Sequence, residues 1–81
     1  MKLQVLKELK AIVKQTNASM GNDELELWFP GMYRDGEWSC SIVGGSTMSS
    51  FVFERIFEVI QRESLLYFIG AMNGDVSIHI Q

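Results

Sequence analysis

Over residues 2–18 the apolar side chains recur every three or four positions. Val5, Leu6, Leu9, Ile12, Val13 and Thr16 share one face, and Gln4, Lys7, Glu8, Lys10, Lys14 and Gln15 share the other. That period predicts an amphipathic helix, and Gly21 stands where a left-handed residue would close it. Residues 24–33 and 37–43 predict two strands joined at Asp35-Gly36, a strong hairpin signal. A two-residue turn there pairs Tyr33 with Trp38, Gly31 with Cys40 and Phe29 with Ile42. With Leu27 and Leu25 these residues form the expected core face. The reverse face takes Glu24, Glu26, Trp28, Pro30, Met32, Arg34, Glu37, Ser39, Ser41 and Val43. Pro30 has no N–H for a ladder, so its strand is expected at a sheet edge.

The helical period returns over residues 47–63. Gly44-Gly45 ends the strand, and Ser46 or Thr47 can cap the helix. Val52, Phe53, Ile56, Val59 and Ile60 form its core stripe, Phe51 and Phe57 its flanks, and Glu54, Glu58 and Gln61 its wet ridge. Glu58 and Arg62 stand four apart and can pair. Residues 65–72 and 75–80 predict a second hairpin about Asn73-Gly74, the dipeptide best suited to a type I′ turn. It pairs Ala71 with Val76, Ile69 with Ile78 and Tyr67 with Ile80 on the expected core face. Leu66, Phe68, Gly70, Ser77, His79 and Gln81 take the reverse. The order is α-β-β-α-β-β. The fold class is α+β: residues 1–81 form a single domain, a four-stranded, mostly antiparallel sheet with both helices on one face.

Composition narrows what such a domain does. The chain has 81 residues, 47% of them hydrophobic and 21% charged, which is globular composition. A core this small has little margin, and small domains compensate with disulfides, metals or oligomerisation. One cysteine, Cys40, and one histidine, His79, exclude an internal disulfide and a Cys/His zinc cluster. Oligomerisation stays open. Met1 to Lys14 interleaves lysines with apolar residues, unlike a secretory leader, and no apolar run has the length of a membrane span. Together with an unpaired cysteine, these features lead us to expect a cytoplasmic protein. A net charge of −3 runs against general nucleic-acid binding, and no cofactor or metal is expected.

Four groups of residues are candidates for chemistry. On the open face of the sheet Trp28, Met32, Leu66 and Phe68, with Val43, form an apolar patch rimmed by Glu26 and Arg34. Such a patch marks a binding surface unless the sheet curls and buries it. Gly44, Gly45, Ser46 and Thr47, at a strand-to-helix junction, can receive an anion or nucleotide, or simply make a turn and a cap; no lysine precedes the Ser/Thr as a phosphate loop requires. Lys7, Lys10 and Lys14 line one helix flank, the usual pattern of a solvated edge. Glu24 and Glu26, and Glu54 and Glu58, are paired carboxylates in wet settings, and with Glu37 the first two form an acidic rim around Trp28. His79 and Cys40 fall on opposite faces, which removes a Cys–His catalytic pair.

The element order is similar to that of small acidic binding proteins such as secretion chaperones and phage-encoded inhibitors, a likeness of arrangement without a shared motif. The expected function is that of a small non-enzymatic regulator or inhibitor. It would bind a protein partner, or itself as a homodimer, through the open apolar face, and neither nucleic acid nor membrane. A small-ligand module at Gly44–Thr47 is the alternative.

Overall fold

The first helix, α1, spans Leu3–Met20 and buries Val5, Leu6, Leu9, Ile12, Val13 and Thr16, the face its periodicity predicts. It ends at Gly21, whose φ of 67° is left-handed and whose N–H reaches back to Asn17 O. Strands β1 (Glu26–Arg34) and β2 (Glu37–Val43) follow, then α2 (Ser50–Arg62), β3 (Tyr67–Met72) and β4 (Asp75–Ile80). The computed structural model describes residues 1–44 and 49–81. The four strands form one sheet in the order β1-β2-β4-β3, antiparallel throughout. Leu6 and Leu9 of α1, Ile56 of α2, and Leu25, Ile42, Ile78 and Ile80 from the sheet side are fully buried in one cluster. Both helices therefore lie on the same face, as expected.

The second hairpin has the expected register, Ala71 with Val76, Ile69 with Ile78 and Tyr67 with Ile80. Asn73 and Gly74 have φ of 53° and 85°, the two left-handed residues a type I′ turn needs. The first hairpin does not keep the simple register. Arg34 faces Glu37, but Met32 faces Trp38, Gly31 faces Ser39, Trp28 faces Ser41 and Leu27 faces Ile42, with shifts between Met32 and Arg34 and between Trp28 and Gly31. Only Gly36 of its turn is left-handed, so this turn is not type I′. Pro30 offers no donor, and the ladder skips both it and Phe29, whose φ is 51°. A slip of one residue exchanges the faces, and a second slip restores them. Trp28 and Leu27 therefore keep their expected sides. Met32 joins the side of Trp38, and Phe29 and Tyr33 leave the core: Phe29 is 69% exposed.

Three further expectations are corrected. Helix α2 starts at Ser50 rather than at residue 47, with Ser49 in the cap position and no side-chain cap bond; the caps expected at Ser46 and Thr47 lie outside the described residues. It closes on left-handed Ser64, and Leu65 N–H returns to Ile60 O at 2.9 Å. Tyr67, Ile69 and Ala71 have the expected register but are exposed, because the helix layer does not extend over β3. The Phe57 ring reaches that strand, 5.1 Å from Tyr67. Arg62 makes a two-pronged contact with Glu8 of α1 and also pairs with Glu63, rather than with Glu58.

Candidate interaction surface

The open face is organised by one row that crosses the whole sheet. Trp28 of β1 faces Ser41 of β2, Ser41 faces His79 of β4, and His79 faces Phe68 of β3. From β2 to β3, side-chain contacts follow this backbone order. Ser41 Oγ and His79 Nδ1 are 3.1 Å apart, and the Phe68 ring lies 5.0 Å from the imidazole. Trp28 Nε1 donates to the Glu26 carboxylate, and Phe29 meets the indole edge-on at 5.7 Å. The neighbouring row, Glu26, Val43, Ser77 and Gly70, gives the middle of the face a floor of small side chains. Ser41, Ser77 and Val43 are buried. Phe68 and Leu66 stand clear at 64% and 70% exposure, and Trp28 is half-buried.

The other two residues expected in this patch sit elsewhere. Met32, exposed, is carried by the register shift to the side of Trp38. Arg34 lies at the far end of β1, with its guanidinium 5.5 Å from the centre of the Tyr33 ring. Glu37 does not serve as a free acidic rim. Its carboxylate is 3.1 Å from the N-terminal ammonium of Met1 and 3.2 Å from Lys2 Nζ. The hydrogen bond from that ammonium, then the one from Lys2, holds the Glu37 carboxyl below the usual range. Met1 and Trp38 also exchange backbone bonds of 2.7 and 2.9 Å, which seats the first residue beside β2.

Sequence reading missed the Ser41–His79 pair, although the shared open-face parity of both residues was legible. A nucleophile and its base must present the reacting oxygen to substrate. Ser41 is 5% exposed, which suits a hydrogen bond that ties β2 to β4. Cys40 is fully buried on the helix side. Burial pushes its thiol up to about 12, against weaker pulls from the N-terminal ammonium and Lys10. Among the described residues no group of three or more His, Cys, Asp or Glu side chains could hold a metal ion. No described helix is long and apolar enough to cross a membrane. Lys7, Lys10 and Lys14 are exposed along α1.

Of the anion-loop candidates, Gly44 is described, whereas Gly45, Ser46 and Thr47 lie outside the described residues. Gly44 is buried, and its N–H is already donated to Val76 O at 3.1 Å. A Cβ on Gly44 would fall 2.7 Å from Leu25 Cδ1 and 3.3 Å from Leu25 Cα. Close packing of Leu25 thus accounts for this glycine without a ligand. The chain matches no protein-family model, no curated protein and no solved structure.

Proposed function

We propose that the protein is a small non-enzymatic interaction module, of regulator or inhibitor type, that binds a protein partner through the open face of its sheet. The observation that carries this reading is the row from Trp28 to Phe68. It pairs an exposed phenylalanine at one edge with a half-exposed tryptophan at the other, across a floor of small residues on the face away from α1 and α2. Exposed apolar patches of this kind on small proteins mark interfaces, and Trp and Phe are enriched at interface centres. Leu66 extends the apolar area beside Phe68, and Glu26 adds a carboxylate beside Trp28 that favours a partner with basic residues. The buried thiol of Cys40 suits a reducing compartment, and we place the protein in the cytoplasm on that basis. Nucleic acid and membrane are not expected partners of an acidic surface.

The test is capture of a partner from cell extract by the wild-type protein beside a Trp28→Ala, Phe68→Ala variant, with folding checked by circular dichroism. The expected result is a protein retained by the wild type and lost by a variant of unchanged fold. If the variant is unfolded, the two rings belong to the core and the reading fails.

A further inference from the structure

The two edges of the sheet are built differently. β1 carries the devices that protect an edge: Pro30, two register shifts, and the charges of Glu26 and Arg34. β3, Tyr-Phe-Ile-Gly-Ala-Met, has no charge, no proline and no bulge. Leu66 and Gln81 exchange both backbone bonds at 2.9 Å. Hydrogen-bonded and non-hydrogen-bonded pairs alternate along an antiparallel ladder. Leu66, Phe68, Gly70 and Met72 therefore turn their N–H and C=O groups toward β4, and Tyr67, Ile69 and Ala71 turn theirs outward. The outward groups sit on a strand whose helix-side face is largely exposed, Tyr67 at 49% beside the Phe57 ring and Ile69 at 54%.

We propose that the protein forms a two-fold dimer in which β3 pairs antiparallel with β3 of a second copy, centred on Ile69, to make one eight-stranded sheet. This inference is independent of the open-face reading, because it rests on the backbone and register of the edge. Among registers that join outward groups, the one centred on Ile69 uses all of them: Tyr67 against Ala71 of the second copy, Ile69 against Ile69, and Ala71 against Tyr67. The same register is complementary in size. Tyr67 meets Ala71 on the helix side, and Phe68 meets Gly70 on the open side, so each ring lies over a small residue. The absence of charge on β3 also suits a second copy as the occupant, since the chain carries a net charge of −3 and a seam without charge avoids local repulsion. A standard interface takes roughly 800 Å² from each partner. At about 100 Å² for each half-exposed large side chain, Tyr67, Phe68, Leu66, Ile69 and Val76 supply at most roughly 500 Å², so the pairing falls in the weak, concentration-dependent range.

The test is sedimentation velocity over a concentration series. The wild type is expected to approach twice its 9.2 kDa chain mass. Ile69→Lys and Ile69→Glu each place like charges opposite one another. Each is expected to weaken self-association by at least about tenfold, and an equimolar mixture of the two should dimerise again. Ala71→Pro removes an N–H that the monomer's own ladder does not use, so it should abolish pairing without unfolding the chain. Ile69→Cys should oxidise to a covalent dimer, because a hydrogen-bonded pair brings Cα atoms to about 5.5 Å, within disulfide reach. A wild type that stays monomeric at every concentration overturns the proposal. So does a dimer indifferent to Ile69→Lys, Ile69→Glu and Ala71→Pro. Trp28→Ala, on the opposite edge, is expected to leave the dimer intact whatever it does to partner capture.

Discussion

Replacing Gly44 with alanine separates two explanations of a glycine at a strand end. The added methyl would sit 2.7 Å from Leu25 Cδ1, 3.3 Å from Leu25 Cα and 3.5 Å from Glu24 O. The first contact can be relieved by a side-chain rotation, but Leu25 is 1% exposed inside a packed core. The second involves backbone, and that backbone is clamped. Asn17 Nδ2 donates to Leu25 O at 2.7 Å, and Leu25 N–H donates to Asn17 Oδ1 at 3.1 Å. Inserting a methyl into a filled site costs about 1–3 kcal/mol. Lower backbone entropy in the unfolded chain returns about 0.4–1 kcal/mol, so the mid-range net loss is about 1.3 kcal/mol. In a domain of this size each kcal/mol lowers the melting temperature by roughly 4–8 °C. Urea unfolding followed by tryptophan fluorescence measures the loss directly. Leu25→Val should relieve part of the clash, so the double variant should lose less than the sum of the two single variants. A Gly44→Ala protein of wild-type stability, or strict additivity with Leu25→Val, would refute the packing argument. A ligand site at the loop predicts something else: phosphate or a nucleotide at a hundredfold over its Kd should add about 2.7 kcal/mol, and Gly44→Ala should remove that gain.

Two more predictions follow from ionisable groups. The Glu8 carboxyl is held low, chiefly by its hydrogen bond from Arg62, and that of Glu37 by the N-terminal ammonium and Lys2. Their stabilising effect is therefore complete above the unfolded carboxylate pKa, about 4.3, and is lost as pH falls through the lower folded values. The urea midpoint should drop below about pH 5, and the drop should be shallower in Glu37→Gln. Cys40, with its thiol at about 12 and no exposure, should resist alkylating reagents at pH about 8 in the folded protein and react only as fast as the chain opens. Rapid labelling under native conditions would contradict its burial.

The parts of the fold that were legible in sequence are those fixed by local chemistry. The buried face of α1 follows from its helical period, and the second hairpin follows from Asn73-Gly74, whose two left-handed residues leave one register. The first hairpin shows where that logic stops. Asp35-Gly36 is also a turn dipeptide, but Pro30 five residues before it removes a ladder donor, and the register shifts between Trp28 and Gly31 and again between Met32 and Arg34. Pro30 was read as an edge marker, which it is, and not as part of a bulge; the shift that spans Phe29 and Pro30 moved Phe29, and the separate shift between Met32 and Arg34 moved Met32. The exposure of Tyr67 and Ile69 was not legible at all. Side-chain parity fixes which side of the sheet a residue faces, but the lateral placement of α2 decides whether a helix lies above it.

That distinction also governs how the proposed surface is dissected. Phe68 serves two arrangements at once: it ends the row that crosses the open face, and in the β3–β3 register it lies over Gly70 of the second copy. Replacing it would weaken partner capture and self-pairing together, and loss of either activity alone could not be traced to one cause. Trp28 lies on the other edge strand, and at about 4.8 Å per strand the two rings' backbones are roughly 14 Å apart. A partner that engages both must lie across the strands, whereas a second copy joined at β3 touches only one end of the row. Trp28 is therefore the position that separates the two activities on the open face, as Ile69 is on the helix side, where its outward backbone serves only the pairing of copies.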